Sequence, residues 1–227
     1  MAVHATPPAG VPMLCIDTCS ILDIMRDPTR ENAKPHDRQA AIDLVIAAEA
    51  GNLLCFMAEQ VAIEFADHDQ PVQEEAIRNL KKVREQIERI DKLAAVYGAS
   101  GVADLSHLDD HVMLARHIVG RWLVQLQTIK PSSQAPAKAF ARVNAGIAPA
   151  RRGKDSSKDC LVYETVLEKA LALRCTGVTA PMVFLSSNTN EYFTEGSILK
   201  AEIAAEFGPL NLAYAPNMSA AKYALGL

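Results

Sequence analysis

Short, uninterrupted apolar runs separated by amphipathic stretches are the feature that most limits how this chain folds. These runs occur at residues 13–16, 53–57, 182–186 and 210–214. A strand that is buried on both faces gives such a run, and it is typical of a parallel sheet covered by helices on both sides. The alternation of apolar runs with helical stretches therefore predicts an α/β fold built on a parallel sheet.

Helix signals lie between these runs. Asp37 is placed to cap a helix over residues 38–50, and Gly51 occupies the position of a C-terminal glycine. Residues 59–67 predict a helix that carries Glu64. Further short or medium helices are predicted at 18–25, 137–145, 157–173, 195–207 and 219–225, and the proline-rich residues 1–12 predict a disordered lead-in.

The middle of the chain follows a different pattern. Apolar residues recur at steps of three and four over residues 71–97 and again over 105–129, with Gly98 and Gly101 between the two series. This spacing predicts two long helices folded back as a hairpin, with Trp122 as a packing residue. The apolar seams suit packing on each other, on the sheet, or on a second copy of the chain, so a homodimer stays open.

The charge balance limits the class of partner. The 227 residues carry a formal net charge of −4, so a general basic surface for nucleic acid is absent and any RNA contact needs a local patch. The five cysteines form no CxxC pair, which fits free thiols in a reducing cytoplasm. With no signal-peptide pattern and no membrane-spanning window, the sequence predicts a soluble cytoplasmic protein without a membrane partner.

Three acidic side chains border the predicted strands and helices. Asp17 directly follows the run 13–16, Glu64 lies inside the stretch Val-Ala-Ile-Glu-Phe-Ala, and Asp159 precedes an apolar run in the helix 157–173. An open parallel sheet binds ligands beyond the carboxyl ends of its strands. A carboxylate there needs a cation or hydrogen bonds to offset its burial.

Each acid also has a simpler explanation, which stays open at this stage. Asp17 is suited to capping the turn that follows it, and Glu64 to lying on a helix surface. Asp155 or one of the serines after it is suited to capping the helix 157–173. Asp159 in the first turn of that helix complements the helix dipole.

Taken in order, these segments resemble the PIN-domain family. The resemblance rests on the opening strand with Asp17, the helix with Glu64, the segment KDCLVYE with Asp159, and the strand segment FLSSNTNEY. The resemblance covers residues 13–67 and 142–215. The chain is similar to a larger PIN-like subgroup that carries a helical hairpin insertion, which corresponds here to residues 70–130. The resemblance implies a single domain over 13–227: a three-layer α/β/α fold with a central, mainly parallel sheet of four to five strands.

The resemblance also implies a site for Mg²⁺ or Mn²⁺. Asp17 matches the first-strand aspartate that binds metal directly, Glu64 matches the second acid, and Asp159 matches the helix aspartate that completes the site. Asp155 lies where some members carry a further polar residue. Ser186 matches a small hydroxyl residue at the end of the third run, 182–186.

Asn188 is where the sequence departs from the family pattern. Many members carry a fourth aspartate at this position, and asparagine is neutral and a poorer ligand. This lowers the charge of the site and puts the binding of a second metal in doubt. We expect Asn188 to support the site through a water molecule.

The resemblance implies RNA as the substrate and a metal-dependent endoribonuclease as the function. Clustered carboxylates repel one another and are stable together when a hard cation binds them. A water on that cation attacks the phosphodiester, and the metal stabilises the leaving oxygen. We expect Asp17 and Asp159 to bind the metal directly and Glu64 to bind it or to orient its water.

RNA binding also needs positive charge near the acids. The basic residues that precede or surround Asp159 are Arg142, Arg151, Arg152, Lys154 and Lys158. This run is suited to holding phosphates. A solvated loop explains it equally well.

Other functions remain as alternatives. A haloacid-dehalogenase-like phosphatase also has an aspartate after its first strand, but it needs a second one where this chain has Cys19. A catalytically degenerate PIN-like module that binds RNA or protein is favoured by Asn188. Many prokaryotic PIN proteins resemble toxins held by small antitoxins, so a toxin role with an antitoxin-like protein partner also stays open.

Overall fold

A single sheet of five parallel strands forms the centre of the molecule. The computed structural model describes residues 10–194 and 198–227. The strands lie in the order β3-β2-β1-β4-β5, so the first strand of the chain is central. Their bounds are β1 Met13–Ile16, β2 Leu54–Ala58, β3 Leu126–Ile129, β4 Met182–Leu185 and β5 Leu212–Ala215.

Helices cover both faces of this sheet. On one face α2 packs against α4 and α9, and on the other α6 packs against α5 and α8. The helices are α1 Thr18–Asp23, α2 Pro35–Glu49, α3 Glu59–Val96, α4 His111–Gln125, α5 Ala135–Ala145, α6 Ser157–Cys175, α7 Thr189–Tyr192, α8 Ala201–Phe207 and α9 Met218–Leu225. The predicted three-layer α/β/α fold with a parallel sheet is confirmed.

The apolar runs behave as predicted because they are the inner strands. All four residues of β1 and of β4 are buried, and β1 pairs in parallel with both β2 and β4. The run predicted at 210–214 forms β5 two residues later, after a short 3-10 turn at Gly208–Leu210. Trp122 is fully buried and donates its indole N–H to the Ala41 carbonyl oxygen, as expected of a packing residue.

The predicted break between residues 67 and 71 is wrong, since α3 runs without interruption from Glu59 to Val96. Pro71 lies inside this helix and is exposed. A proline in a helix removes the hydrogen bond to the carbonyl four residues earlier. Asp67, which carries that carbonyl, is also exposed, so water can satisfy the group and the helix continues.

The second predicted hairpin helix is shorter than expected. It is α4, which ends at Gln125, and residues 126–129 form the edge strand β3 instead of a last helical turn. Only the first residue of β3 is buried, because an edge strand has one side open to solvent. Its sequence, Leu-Gln-Thr-Ile, therefore lacks the apolar run that marks the inner strands.

Helices α3 and α4 pack side by side in opposite directions. Ala76 and Leu80 form a small apolar cluster with Val112, and Arg116 pairs with Asp69 at 2.8 Å. Rising residue numbers on one helix meet falling numbers on the other, which is the arrangement of a hairpin.

Three local predictions also need correction. Asp37 does not cap α2, which begins at Pro35; its carboxylate accepts a hydrogen bond from the Ser219 amide at the start of α9. The helix predicted at 195–207 begins at Ala201, and its positions 195–197 lie outside the described residues. Helix α7 was not predicted.

The predicted disordered lead-in overlaps the described residues only at positions 10–12. Of the predicted disordered residues 1–12, positions 1–9 lie outside the described residues, whereas the Pro12 carbonyl accepts a hydrogen bond from the Leu54 amide at 3.0 Å.

Across the part of the chain that the structure describes, no helix combines the length and apolar character that crossing a membrane requires.

Candidate active site

Asp17 lies at the carboxyl end of the central strand β1 and serves as the N-cap of α1. Its Oδ1 accepts the Thr18 amide at 2.7 Å, and its Oδ2 accepts the Ser186 hydroxyl at 2.7 Å. The side chain is buried, and burial raises the pKa of its carboxyl group although these hydrogen bonds act in the opposite direction. Both explanations of Asp17 thus hold: it caps a helix, and it places a carboxylate at the ligand-binding edge of the sheet.

Glu64 faces Asp17 from the second turn of α3. Its Oε2 accepts the Thr18 hydroxyl at 3.0 Å, and its Oε1 accepts the Gln60 side-chain amide at 3.1 Å. Thr18 therefore holds one acid through its backbone amide and the other through its hydroxyl. The negative charge of Glu64 also raises the pKa of Asp17, which places the two carboxylates within electrostatic reach.

Asp159 approaches the same edge from the first turn of α6. Burial raises the pKa of its carboxyl group to about 7, and repulsion from Glu191 and then from Asp17 adds to this effect. Glu64 contributes in the same direction. The fold thus brings together the three acids that the sequence singled out.

Glu191 is a fourth acid at this site, and the sequence argument missed it. It lies in the short helix α7 after β4, and its side chain is fully buried. Its Oε2 has no hydrogen-bond partner among the described residues. Its position in the sequence could have indicated it, because Glu191 follows Asn188 by three residues. Residues three apart lie on the same side of a helix, so both side chains lie near the end of β4.

A cluster of aromatic rings fixes α7 beneath the site. The Tyr192 ring stacks on Tyr214 at a centroid distance of 4.9 Å and meets the edge of Phe184 at 5.5 Å. These contacts join α7 to β4 and β5, and they hold the neighbouring Glu191 in place. The structure thus supports a buried carboxylate on a helix of only four residues.

Lys154 provides a positive charge inside this acidic cluster. Its Nζ lies 2.5 Å from Glu191 Oε1 and 3.7 Å from Asp159 Oδ2. The sequence argument assigned Lys154 to RNA phosphates, whereas here its ammonium group bridges two carboxylates. One lysine leaves four acids with a surplus of negative charge.

The supporting residues divide into two kinds. The Ser186 hydroxyl orients Asp17 and accepts the Asn188 amide at 3.3 Å, so both lie beside the acids. Asn188 is the N-cap residue of α7, and its side chain makes no capping hydrogen bond. Asp155 is exposed and accepts the Ser157 amide at 3.0 Å, so it shapes the start of α6.

The predicted basic residues also separate. Arg142 is buried, and its guanidinium contacts Glu164 at 2.8 Å and Glu206 at 2.6 Å, which leaves it out of reach of an RNA phosphate. Arg151 and Arg152 are exposed on the segment that leads into α6, and Lys158 is exposed in its first turn. All three are accessible to a substrate, and Lys158 directly precedes Asp159 along the chain.

A family comparison agrees with this arrangement. The PIN-domain family model matches residues 14–192, which is more than half of the chain and includes all four acids. The chain belongs to the PIN-domain family. PIN domains are generally nucleases and usually use divalent metal ions. No curated protein and no solved structure is significantly similar to this PIN domain.

The donor set of this PIN domain suits a hard cation, although the ligands have not yet converged on one point. Within residues 10–194 and 198–227, no three His, Cys, Asp or Glu side chains form a group that could hold a metal ion. The four acids offer only oxygen donors, which Mg²⁺ and Mn²⁺ prefer. The buried, unpartnered Glu191 Oε2 is the atom that most needs a cation. The residue types therefore suit a divalent metal, and in this structure the Lys154 ammonium occupies the space between two of the carboxylates.

Proposed function

We propose that this PIN domain is a metal-dependent endoribonuclease that hydrolyses RNA phosphodiester bonds with Mg²⁺ or Mn²⁺. The observation that carries the proposal is the group of four acids at the carboxyl edge of the sheet, in which neighbouring carboxylates raise the pKa of Asp17 and Asp159 and one buried carboxylate oxygen has no partner among the described residues. Burying unpaired charge is costly, and a bound cation offsets that cost. Stability of the fold does not explain a group of acids with an unpartnered buried oxygen, whereas metal binding does.

In this proposal Asp17, Asp159 and Glu191 hold the metal, and Glu64 binds it or orients its water. Thr18 and Ser186 fix the carboxylate of Asp17 through hydrogen bonds of 2.7 Å each. The bound metal supplies a water that is a strong nucleophile near neutral pH and stabilises charge on the phosphate oxygens. The protein contributes rigid placement, because each acid leaves a different strand end or helix start.

Burial of the acids also strengthens their attraction for a cation. Tyr192 and Phe184 close the inner side of the site and keep bulk water from reaching Glu191 from below. Electrostatic interactions are stronger in such a partly dry environment than in water. The negative charge is thus held where it attracts a divalent cation most strongly.

The substrate class follows from the exposed charges beside Asp159. Arg151, Arg152 and Lys158 offer three exposed cations within eight positions before Asp159, on a chain whose overall charge is −4. Phosphate oxygens are the partners that such a local patch selects. Replacing Arg151 and Arg152 with glutamine is expected to weaken RNA binding and flatten its dependence on salt.

The test is cleavage of a labelled single-stranded RNA by the full chain in Mg²⁺, Mn²⁺ or EDTA. We expect the double variant Asp17→Asn, Asp159→Asn to lose cleavage by at least about a thousandfold, since removal of a metal ligand removes the nucleophile. Asp155→Asn is the matched control, because this exposed acid lies one turn away from Asp159 and outside the cluster. Full cleavage by the double variant would overturn the proposal.

A second function, RNA binding without hydrolysis, is favoured by one observation. Lys154 already neutralises part of the acidic cluster, and Asn188 stands where many PIN domains carry another aspartate. A folded wild-type protein that binds RNA, binds no Mn²⁺ in calorimetry and cuts none of several RNAs would establish this alternative.

A further inference from the structure

A second charged cavity adjoins the acidic site, on the side of the sheet that α2 and α9 cover. It is a cleft of about 380 Å³ between the loop that joins α1 to α2, the start of α2, and the residues that precede α9. This volume lies within the range of roughly 300–1,000 Å³ that is typical of small-molecule and nucleotide-sized sites. Neither the acids nor the exposed basic residues beside α6 account for it.

Four cationic side chains line this cleft: Arg26, Arg30, Lys34 and Arg38. Arg26 pairs with Asp23 at 2.9 Å. None of the other three forms an ion pair with a carboxylate of the described residues. Arg38 is half-buried, whereas Arg30 and Lys34 are exposed and accessible to a ligand. An anionic ligand can pair with all three through charge-assisted hydrogen bonds.

Arg38 shows this most clearly. Its guanidinium is half-buried and donates to the Arg26 carbonyl oxygen at 3.2 Å. Burial lowers the pKa of this group, while the charges of Asp23 and Asp37 act in the opposite direction. A phosphate entering the cleft would meet a guanidinium with unused donors.

The acids that line the same cleft are mostly occupied by neutral donors. Asp27 accepts hydrogen bonds from the Thr29 amide at 2.9 Å and from the Asn79 side-chain amide at 2.7 Å. Asp37 accepts the Ser219 amide at 3.3 Å. These hydrogen bonds tie the carboxylates into turns and helix starts, while Asp23 and Asp37 still act on Arg38 through their charges. Four basic and three acidic side chains line the cleft, so its lining keeps a small surplus of positive charge.

The start of α2 adds to the preference for an anion. Lys34 is the N-cap residue of this 15-residue helix and makes no side-chain capping hydrogen bond. The start of a helix carries a partial positive charge. In α2 the first residue, Pro35, has no amide N–H, and the Asp37 amide donates to the Lys34 carbonyl oxygen at 3.1 Å. The helix dipole, rather than free amides, therefore adds to the three cations in favouring a phosphate.

The cleft and the acidic site share one wall. Ser20, Ser187 and Thr189 line the cleft, and they stand beside Asp17, Ser186 and Asn188 along the chain. The Ser187 amide donates to the Ser20 hydroxyl at 3.0 Å, which ties the turn after β1 to the turn after β4. A single strand lying on the acids reaches the cleft by crossing these two turns.

We propose that the cleft holds a backbone phosphate of the RNA strand next to the phosphate that is cleaved, with Arg30, Lys34 and Arg38 as its ligands. The inference rests on the proposed ribonuclease function, since it assigns part of the same substrate. In this proposal the enzyme binds its substrate at two places besides the acids: at residues 151–158 and in the cleft.

The experiment measures RNA binding apart from cleavage. A fluorescein-labelled 12-nucleotide oligouridine is titrated with the full chain in EDTA, and its Kd is followed by anisotropy across a range of salt concentrations. The cleft variant is Arg30→Gln, Lys34→Gln, since both side chains are exposed and their replacement leaves the fold intact. The matched control is Arg89→Gln, Lys92→Gln, which removes the same two residue types from the exposed far part of α3.

We expect the cleft variant to raise Kd about tenfold and to reduce the salt slope by roughly 0.7 for each phosphate that the protein no longer neutralises. The control is expected to stay within about twofold of the wild type. Equal Kd and slope in the cleft variant and the wild type overturn the inference, whether or not the protein cleaves RNA in Mn²⁺. A wild type that never cleaves but binds through the cleft overturns the nuclease proposal and leaves the cleft as an RNA site.

Discussion

Two buried groups of charged residues lie along helix α6, and they differ in how completely their charges are paired. In the first, Arg142 contacts both Glu164 and Glu206, and the Tyr163 hydroxyl donates to Glu206 at 2.6 Å. In the second, around Asp159, four acids lie within electrostatic reach of one another, and Lys154 pairs with only two of them, Glu191 and Asp159. About one turn of helix separates Asp159 from Glu164.

The difference teaches how to tell a structural charge from a functional one. The Arg142 group is closed: its guanidinium, both carboxylates and the neighbouring hydroxyl all have partners. The acidic cluster keeps an unpartnered oxygen on Glu191 and a carboxyl group whose pKa is raised by burial and by its neighbours. Charged groups that are fully paired, as around Arg142, contribute to a stable structure. Carboxylates that are only partly paired, as around Asp159, can bind a cation.

Removal of the Arg142 cation is the largest expected effect. Arg142→Met leaves two carboxylates without their buried partner, and breaking such a pair costs about 3–5 kcal/mol of unfolding free energy. Urea unfolding measures this loss, with Lys138→Met as the control, because Lys138 pairs with Glu168 at a half-exposed site on the same helix. A variant that stays stable but loses RNA affinity would instead return Arg142 to the RNA surface that the sequence suggested.

Removal of the lysine from the acidic cluster is expected to have the opposite kind of effect. Lys154→Met frees the carboxylates of Glu191 and Asp159 and removes a competing positive charge. The affinity for Mn²⁺ should therefore rise about fivefold, which corresponds to roughly 1 kcal/mol. Isothermal titration with Mn²⁺ measures it, and Lys158→Met is the control with the same charge change. Unchanged or weaker binding in Lys154→Met would show that the lysine does not compete with the metal.

The smallest expected effect is a pH dependence of stability in the metal-free protein. The pKa of Asp159 is about 7 in the fold, above its ordinary value of 3.8, so the folded state binds more protons between these values. Stability should therefore fall as pH rises from about 4 through 7. Asp159→Asn should remove this part of the slope and raise the Tm at pH 8 by a few degrees, with little change at pH 5.

Saturating Mn²⁺ provides the contrast for that measurement. Protons compete with the metal for the same carboxylates, so the stability of the metal-bound protein should rise with pH over the same range. Identical slopes with and without Mn²⁺ would separate Asp159 from metal binding.

The inner strands and three of the acids were predictable because burial leaves a direct mark on sequence. β1 and β4 are fully buried, and their uninterrupted apolar runs reveal both the strand and its end. Asp17 follows such an end, so the sheet topology alone places it at the ligand-binding edge. The family resemblance then added Glu64 and Asp159 in their order along the chain.

The rest depended on contacts between distant parts of the chain. Glu191 is fully buried next to Tyr192, whose ring packs on aromatic residues of β4 and β5. The polar segment around Glu191 does not indicate this burial. Arg142 meets Glu206 across 64 positions, so its charge looks solvent-exposed in sequence. β3 escaped notice because an edge strand needs no apolar face on its open side.

Helix α3 has a consequence for how such a protein diversifies. Its 38 residues extend about 57 Å at 1.5 Å per residue, while its buried side chains end at Leu80. Beyond that point Ile90, Leu93 and Val96 are exposed. The end that carries Glu64 is therefore anchored in the core, whereas the far end is held by polar contacts such as the Arg84–Asp109 pair and the hydrogen bond from the Ala103 amide to Asp91. Whole helical turns can be gained or lost there, and new binding surfaces acquired, while the four acids of the candidate site keep their places.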